Sequence, residues 1–277
     1  MSRTLVEKRA AFRALHQQGC FVLPNPWDIG SARIFQDLGF AALATTSTGF
    51  AWTIGRPDYA VTLGDVLQHL TAVSGAVDLP VNADFESGFA ADLQDVAANV
   101  TLAVKSGVAG LSIEDRVVGD VNKLYETSLA VERIRAARAA IDKTGEDVLL
   151  VGRTEGLLIG GSVSVAIDKL VALADAGADC LYAPGLGMPA LSTKEDVIAL
   201  VKAVAPKPVN ILVVGPGTTL AEYADLGVRR ISVGGALAQI SWGATLAAAK
   251  QLRDGSFNGL AGGSLNRQLN EMFGRFV

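Results

Sequence analysis

The sequence predicts an α/β protein folded as a single (β/α)8 barrel of the TIM type. Short apolar runs recur about every 30 residues, which is the usual size of a strand–helix unit. Helical patterns with apolar residues at i, i+3, i+4 and i+7 lie between these runs. Strands that alternate with helices form a parallel sheet, and eight such units close into a barrel. An open doubly wound sheet is the alternative, but no GxGxxG opens a helix after the first strand.

The elements follow in order along the chain. Residues 1–19 predict an extra helix that precedes the barrel. The eight predicted strands are Phe21–Leu23, Ala41–Thr45, Pro80–Ala83, Gly110–Ile113, Val148–Gly152, Cys180–Tyr182, Val209–Val213 and Arg230–Val233. Four glycines, at 39, 107, 177 and 227, each precede a strand, where the left-handed end of a helix favours glycine. Residues 249–277 are expected to form a C-terminal helical extension that could pack on a neighbouring subunit, and no composition shift divides residues 1–277 into further domains.

Composition excludes several classes of function. Half of the 277 residues are hydrophobic and 19% are charged, which is typical of a globular enzyme. A net charge of -4 argues against a nucleic-acid partner, because phosphate binding needs basic patches. No apolar stretch approaches the ~18 residues of a membrane span, and no signal peptide is evident. Cys20 and Cys180 are interpreted as buried thiols of a cytoplasmic protein, with a disulfide as the alternative.

Acidic residues stand where predicted strands end. The segment PVNADFE carries Asp84 and Glu86, and AGLSIED ends in Glu114 and Asp115. The carboxyl ends of parallel strands meet on one rim of a barrel, where catalysis occurs. Carboxylates gathered there repel one another unless a cation lies between them. Oxygen ligands without histidine or cysteine predict Mg²⁺, which Mn²⁺ could replace. The alternative is that these acids pair with nearby arginines.

Other rim residues predict a site for a carboxylate. Arg153 follows the fifth strand, and its planar guanidinium can hold two oxygens, although a salt bridge to Glu155 is the alternative. A turn after the second strand offers hydroxyls and amides, as an oxyanion site does, or it is an ordinary turn. Its residues are Ser47, Thr48, Gly49 and Phe50. Asp58 could orient a water or cap a turn, and Asn210 offers a hydrogen bond.

Two further features leave alternatives open. Asp28 could cap the helix that begins at Ile29, or it could belong to the site. Glycines 215, 217, 234 and 235 follow the last two strands, where many barrels bind phosphate. A phosphate-binding barrel enzyme is therefore a separate class of prediction. No lysine ends a strand, so a Schiff-base aldolase is disfavoured.

With these residues assembled, the chain resembles the isocitrate lyase/phosphoenolpyruvate mutase superfamily from about Phe21 to Ala248. The resemblance is carried by the segments STGFAWTIGRPD, NADFESGF, GLSIED, VGRTE and GVRRISVGGA. It implies a (β/α)8 barrel whose last helix is often exchanged between subunits, in homodimers or homotetramers. It also implies Mg²⁺ and a small 2-oxo acid or dicarboxylate ligand.

The resemblance also implies roles for single residues. Thr48, Gly49 and Phe50 match the segment that holds the substrate carboxylate and oxo groups. The acids Asp58, Asp84 and Glu114 match the metal site. Arg153 matches the arginine that contacts the substrate, and Asn122 matches the asparagine of a mobile gating loop. Glu86 departs from the superfamily, which has an aspartate there. The lyase loop cysteine is absent, and Asp120 stands near the position of the mutase loop lysine.

These departures select among reactions. Without the loop cysteine, isocitrate and methylisocitrate cleavage are disfavoured. We predict Mg²⁺-dependent C–C cleavage of a small 2-oxo acid through a metal-stabilised enolate, most simply decarboxylation of oxaloacetate, because that reaction needs an electron sink. Hydrolytic or retro-aldol cleavage is the next alternative. Phosphonopyruvate or phosphoenolpyruvate P–C chemistry follows, and a non-catalytic 2-oxo acid binder is the alternative outside enzymes.

Overall fold

A computed structural model of the protein describes residues 3–263 and 265–276. Its main sheet has eight parallel strands in the order β1-β10-β9-β8-β7-β4-β3-β2. The strands are β1 Phe21–Leu23, β2 Leu43–Ala44, β3 Val81–Asp84, β4 Gly110–Glu114, β7 Leu149–Arg153, β8 Cys180–Tyr182, β9 Val209–Leu212 and β10 Arg230–Ser232. A separate antiparallel hairpin pairs β5 Arg116–Val117 with β6 Asp120–Leu124. The predicted fold class, a (β/α)8 barrel, is confirmed.

Helices surround the sheet, and short 3₁₀ turns occur in the connecting segments. The helices are α1 Leu5–Leu15, α2 Ile29–Asp37, α3 Ser47–Thr53, α4 Leu63–Ala76, α5 Leu93–Lys105, α6 Thr127–Thr144, α7 Val163–Asp175, α8 Lys194–Val204, α9 Leu220–Asp225, α10 Ala236–Arg253 and α11 Asn266–Phe273. All eight predicted strands occur, each within two residues of its predicted ends. The four predicted glycines, at 39, 107, 177 and 227, have φ of +82°, +88°, +110° and +87°, as left-handed helix ends require.

Asn25 closes the barrel between its two edge strands. Its amide nitrogen donates to the carbonyl of Thr45 at 3.0 Å, directly after β2. Its amide oxygen accepts from the backbone nitrogens of Val233 and Gly234 at 2.8 and 3.0 Å, directly after β10. A backbone hydrogen bond from Ala44 to the carbonyl of Pro24 adds a further link at 3.2 Å. These bonds hold the carboxyl ends of the first, second and last strands together at the rim.

Helix α1 seals the amino-terminal end of the barrel. Thr4 caps it with Glu7 in a reciprocal capping box, and Phe12 is fully buried against interior residues that include Leu23 and Leu149. The segment predicted as an extra helix therefore forms one, and it is part of the core. Because the amino-terminal end is closed, ligands enter from the opposite rim.

Gly110 allows this close packing inside the barrel. A Cβ added at Gly110 would lie 2.7 Å from Asn82 Oδ1 and 2.7 Å from Phe12 Cε1. We expect Gly110→Ala to lower the free energy of unfolding by about 1–3 kcal/mol, because a packed core resists added volume. Gly75 is the matched control, since a Cβ there meets open space and alanine favours helix by up to about 1 kcal/mol. Urea denaturation of both variants measures the difference, and equal effects would contradict the packing argument.

Candidate active site

The carboxyl ends of the strands open onto one cavity of about 230 Å³. It is smaller than the roughly 300–1,000 Å³ of pockets for drug-sized ligands, which suits a small acid. Near the rim it is lined by Ser47, Thr48, Asp58, Tyr59, Asp84, Arg116, Arg153 and Glu155. It is also lined by strand residues, namely Asn82, Ser112, Arg230 and Ser232, of which Arg230 is the first residue of β10. The cavity therefore runs from the predicted rim into the barrel interior.

Arg153 is the central cation of the rim. It lies last on β7, beside Glu114 on β4 and Tyr182 on β8 in the strand register. Its guanidinium is 3.1 Å from Asp84 Oδ1 and 3.3 Å from Glu114 Oε2, and it also pairs with Glu155. Burial alone would lower the pKa of Arg153, but the charges of Glu155, Glu114 and Asp84 outweigh it and hold that pKa well above its usual range. The cation therefore stays charged and fixed in direction.

The turn after β2 holds the carboxylate of Asp84 from the other side. Asp84 Oδ2 accepts from both the backbone nitrogen and the hydroxyl of Ser47, each at 2.9 Å. Thr46 caps the helix that begins there by accepting from the nitrogen of Gly49 at 3.3 Å. Thr48 donates its hydroxyl to Asp58 at 2.7 Å. One oxygen of Asp84 thus faces Arg153 and the other faces Ser47, so its position is fixed by three donors.

Two buried carboxylates at the rim keep an oxygen without a hydrogen-bond partner. These atoms are Oε1 of Glu86 and Oε1 of Glu114, and both residues are under 10% exposed. Burial, with the charges of Asp84 and Asp58, raises the pKa of Glu86 to about 8. Burial also raises the pKa of Glu114 well above its usual range, although Arg153 opposes this shift. Such carboxylates favour a proton or a cation nearby.

This donor set fits a hard divalent cation. Among residues 3–263 and 265–276, no three acidic, histidine or cysteine side chains form a ready-made metal cage. Mg²⁺ commonly binds through only one or two carboxylates and keeps sites for water and substrate oxygens. Asp84 lines the cavity directly, whereas Glu86 lines the neighbouring cleft beneath Asp58 and Tyr59. The residues therefore fit Mg²⁺ with Asp84 closest to the ligand space.

Comparison with known proteins places this arrangement in a family. A family model described as phosphoenolpyruvate phosphomutase matches residues 12–253. The chain belongs to this family. It is thus an enzyme of the isocitrate lyase/phosphoenolpyruvate mutase superfamily, and the predicted resemblance is confirmed.

Three related proteins have informative descriptions. A Burkholderia cenocepacia crystal structure described as a lyase/mutase is 40% identical, with a TM-score of 0.91 over 98% of this chain and 97% of that chain. The oxaloacetate decarboxylase of Paraburkholderia xenovorans is 28% identical over 81% of this chain and 74% of that protein. A structure of oxaloacetate acetylhydrolase with its product oxalate is 28% identical, with a TM-score of 0.84 over 96% of this chain and 93% of that chain. The relatives therefore include lyases of the superfamily.

Six predicted site residues of this phosphomutase family member do not line the cavity. Two of them are the rim acids Glu86 and Glu114, and the other four lie elsewhere. Gly49 is packed tightly, since a Cβ there would lie 2.7 Å from Thr46 Cγ2. Phe50 is buried and stacks on His69 with ring centroids 4.0 Å apart. Asn122 lies exposed on β6, so the predicted gating loop is a hairpin strand. Asn210 is buried below the cavity and donates to Ser232 at 3.0 Å.

Asp115 is enclosed in a hydrogen-bond network and does not face the cavity. Its oxygens accept from the Thr154 hydroxyl at 2.7 Å, the Glu155 nitrogen at 2.9 Å and the Lys169 ammonium at 2.8 Å. Lys169 comes from the outer helix α7, so no strand-end pattern could identify it. The network holds Glu155 against Arg153, and Asp115 positions the rim rather than facing the ligand space.

The structure also decides between the two predicted roles of Asp28 and shows the state of the two cysteines. Asp28 caps α2 in a reciprocal box, accepting from the backbone nitrogen of Ser31 at 2.7 Å. Cys20 and Cys180 are both free thiols, and Cys180 is buried as predicted whereas Cys20 is half-buried. In the described part of the chain, no helix is long and apolar enough to span a membrane.

Sequence reasoning missed several residues of the cavity, and two of them, Tyr59 and Arg116, lie at the rim. Tyr59 directly follows Asp58 in a left-handed conformation with φ of +61°, which is rare outside glycine. Arg116 lies with its guanidinium 5.4 Å from the centre of the Tyr59 ring and 3.2 Å from Glu155. Arg116 directly follows Asp115 in the sequence, which indicates it only as one of the nearby arginines that could pair with the acids, and nothing in the local sequence marks the turn at Tyr59.

Proposed function

We propose that the protein is a Mg²⁺-dependent lyase that cleaves a C–C bond of a small 2-oxo dicarboxylate, most simply by decarboxylating oxaloacetate. The observation that carries this proposal is the fixed Arg153–Asp84 pair beside the unpartnered oxygen of Glu114, at the rim of a small polar cavity. The oxaloacetate decarboxylase and the oxaloacetate acetylhydrolase among the relatives support the same substrate class.

Asp84 would hold the cation, with Glu86 and Glu114 close behind it. When bound, Mg²⁺ would polarise the oxo group of the substrate and stabilise the negative charge that develops as the C–C bond breaks. The residues of the chain orient the acid: Arg153 offers a planar fork to a carboxylate, and the Thr48 hydroxyl lies at the mouth of the cavity. Mn²⁺ could serve in place of Mg²⁺.

Proton delivery follows from what lines the cavity. Among the described residues that line it there is neither histidine nor cysteine. His16 and His69 are both buried elsewhere, and burial lowers their pKa values to about 3 and about 4. Decarboxylation needs no acid before the bond breaks, and water can protonate the product. This is why we place decarboxylation ahead of reactions that require a loop acid.

A C–C hydrolysis is the second candidate. The acetylhydrolase structure contains oxalate as product, so that protein cleaves oxaloacetate between C2 and C3 rather than releasing CO₂. Asp58 and Thr48 both line the cavity near the rim, and their oxygens could orient an attacking water. P–C bond chemistry and simple binding of a 2-oxo acid follow as weaker candidates.

The test is product analysis with oxaloacetate, followed by phosphonopyruvate, in Mg²⁺ and in EDTA. Pyruvate formed above the metal-only background supports decarboxylation. Oxalate with acetate indicates hydrolysis, and phosphate release from phosphonopyruvate indicates P–C cleavage. Binding of oxalate without turnover of any substrate would contradict the lyase proposal and favour a binding role.

We further propose that the protein forms a homodimer or homotetramer through α10. Among the 18 residues of this helix, only Ala238 is buried. The apolar side chains of Ile240, Trp242 and Leu246 are 68%, 43% and 57% exposed. An apolar patch of this kind marks an interaction site more often than a free surface. A second copy of the chain is the occupant that the resemblance implies.

A double substitution of this helix tests the assembly. We expect Ile240→Lys with Leu246→Lys to give a monomer, because burying charges at an apolar interface is unfavourable. Val165→Lys is the matched control, since Val165 is a similarly exposed apolar residue on α7. Light scattering after size exclusion gives the mass of each variant. A wild-type monomer, or a double variant that keeps the oligomer, would contradict the proposal.

A further inference from the structure

Arg230 is a buried cation at the amino-terminal end of the cavity. Its residue is 3% exposed, yet it lines the same cavity as Arg153. Its Nε donates to Asn210 Oδ1 at 3.0 Å, and its Nη1 donates to Asn82 Oδ1 at 3.3 Å. Both partners are neutral amides. The guanidinium thus has hydrogen-bond acceptors, but neither acceptor carries a negative charge that would offset its own.

The remaining neighbours of Arg230 are also uncharged at neutral pH. Nη1 lies 3.5 Å from Nε2 of His16, whose Nδ1 faces the Phe12 carbonyl at 2.8 Å and therefore carries the proton. Burial, and then Arg230 itself, lower the pKa of His16 to about 3. Burial raises the pKa of Cys180 to about 11 and moves that of Tyr182 upward as well. No ion pair among the described residues includes Arg230.

Such a cation is costly, and among the described residues only neutral groups stabilise it, namely the two amides and the Phe12 ring, whose centre is 5.8 Å from the guanidinium carbon. Burial lowers the pKa of Arg230, as a desolvated cation without a charged partner should show, but arginine does not lose its proton in proteins. Buried charges are normally paired, and the interior layers of such barrels are dominated by branched aliphatic side chains. An apolar residue here would be favoured on stability alone. The exception therefore points to a use.

The charges that line the cavity suggest what that use is. Three acids line it, and three arginines balance them only when Arg230 is counted. The acids are Asp58, Asp84 and Glu155, and the arginines are Arg116, Arg153 and Arg230. Arg116 and Arg153 already form ion pairs with rim acids. Arg230 is the one cation of this lining whose field is not neutralised by an adjacent carboxylate.

We propose that Arg230 is a specificity-determining residue that favours dianionic ligands in the cavity through its charge. Its partner Asn82 and the rim acid Asp84 are two residues apart on β3, about 7 Å along a strand. If the charge of Arg230 acts on a bound ligand over a distance of this order, at an effective dielectric constant near 20, each unit charge on the ligand changes its affinity on the order of tenfold or more. The same field opposes the binding of Mg²⁺. The inference rests on the proposed function only for the class of ligand.

The experiment replaces Arg230 with methionine, which keeps an unbranched stem but removes the charged guanidinium, and with lysine, which keeps the charge. Calorimetry measures binding of oxalate, oxamate and Mg²⁺ separately, and thermal unfolding reports the fold. In Arg230→Met we expect oxalate to weaken on the order of tenfold more than oxamate, because oxalate carries one more charge. Mg²⁺ should bind more tightly. Arg230→Lys should stay close to wild type, and Arg135→Met, an exposed arginine on α6, should change neither ligand.

The outcomes separate charge from structural damage. A damaged cavity weakens both anions equally and also weakens Mg²⁺, and that result would overturn the inference. So would a folded Arg230→Lys that behaves like Arg230→Met, or no change in either variant. If the wild type binds neither oxalate nor oxamate, the proposed function fails. The Mg²⁺ affinity of Arg230→Met then still decides the role of Arg230, because the inference requires Mg²⁺ to bind this variant more tightly than the wild type.

Discussion

Replacing Arg153 by lysine should lower kcat/KM for the 2-oxo acid substrate by about 10²–10³-fold, the usual effect of losing one well-aimed donor. Lysine keeps the charge but loses the planar fork that grips two carboxylate oxygens. The three acids around it stay compensated, so the free energy of unfolding should change little. Steady-state kinetics with denaturant titration measures both effects. Arg135→Lys, at an exposed position on α6, is the matched control.

Arg153→Ala should behave differently, because it removes the charge itself. Asp84 and Glu114 would then lose their cation, and Glu155 would keep only Arg116. Breaking a buried pair costs about 3–5 kcal/mol of stability, so this variant should unfold at clearly lower urea concentration. A lysine variant with full activity, or an alanine variant with unchanged stability, would show that Arg153 is not the organising cation of the rim.

The barrel could be predicted because each strand–helix unit carries local sequence patterns. An apolar run and a helical pattern recur with each unit, and a glycine at the helix end recurs in four of them. Each of these features depends only on neighbours in sequence. Gly39 and Gly107 illustrate this, since only a left-handed residue ends those helices. The hairpin β5–β6 was missed because β5 has two residues and β6 has a mostly exposed, polar surface. Neither strand has an alternating pattern that could mark it.

The location of the site was predictable, but its internal pairing was not. Parallel strands bring their carboxyl ends together, so Asp84, Glu114 and Arg153 had to share one rim. Which acid accepts from which donor depends on distances of a few ångströms. Lys169 shows the limit, because a residue on an outer helix decides that Asp115 is occupied. Arg230 shows another, because its strand position alone gives the amino-terminal end and not a place in the cavity.

Asp84→Asn should weaken Mg²⁺ or Mn²⁺ binding by about 10–100-fold, comparable with losses reported for disturbed metal sites, and should reduce turnover at least as much. The amide keeps the shape of the carboxylate and can still accept from Ser47, but it no longer attracts a cation. Binding of Mn²⁺ followed by electron paramagnetic resonance gives the affinity without relying on activity. Asp95→Asn, an exposed aspartate on α5, is the control of equal chemistry.

Glu86→Gln decides whether the acids share this role. Glu86 has an unpartnered oxygen, yet it lines the neighbouring cleft and not the main cavity. If Asp84 is the acid nearest the cation, Glu86→Gln should lose less Mn²⁺ affinity than Asp84→Asn, because its charge acts from farther away. A larger loss in Glu86→Gln would assign direct ligation to the longer side chain. Equal and small losses in both variants would instead mean that the cation is not held at this rim.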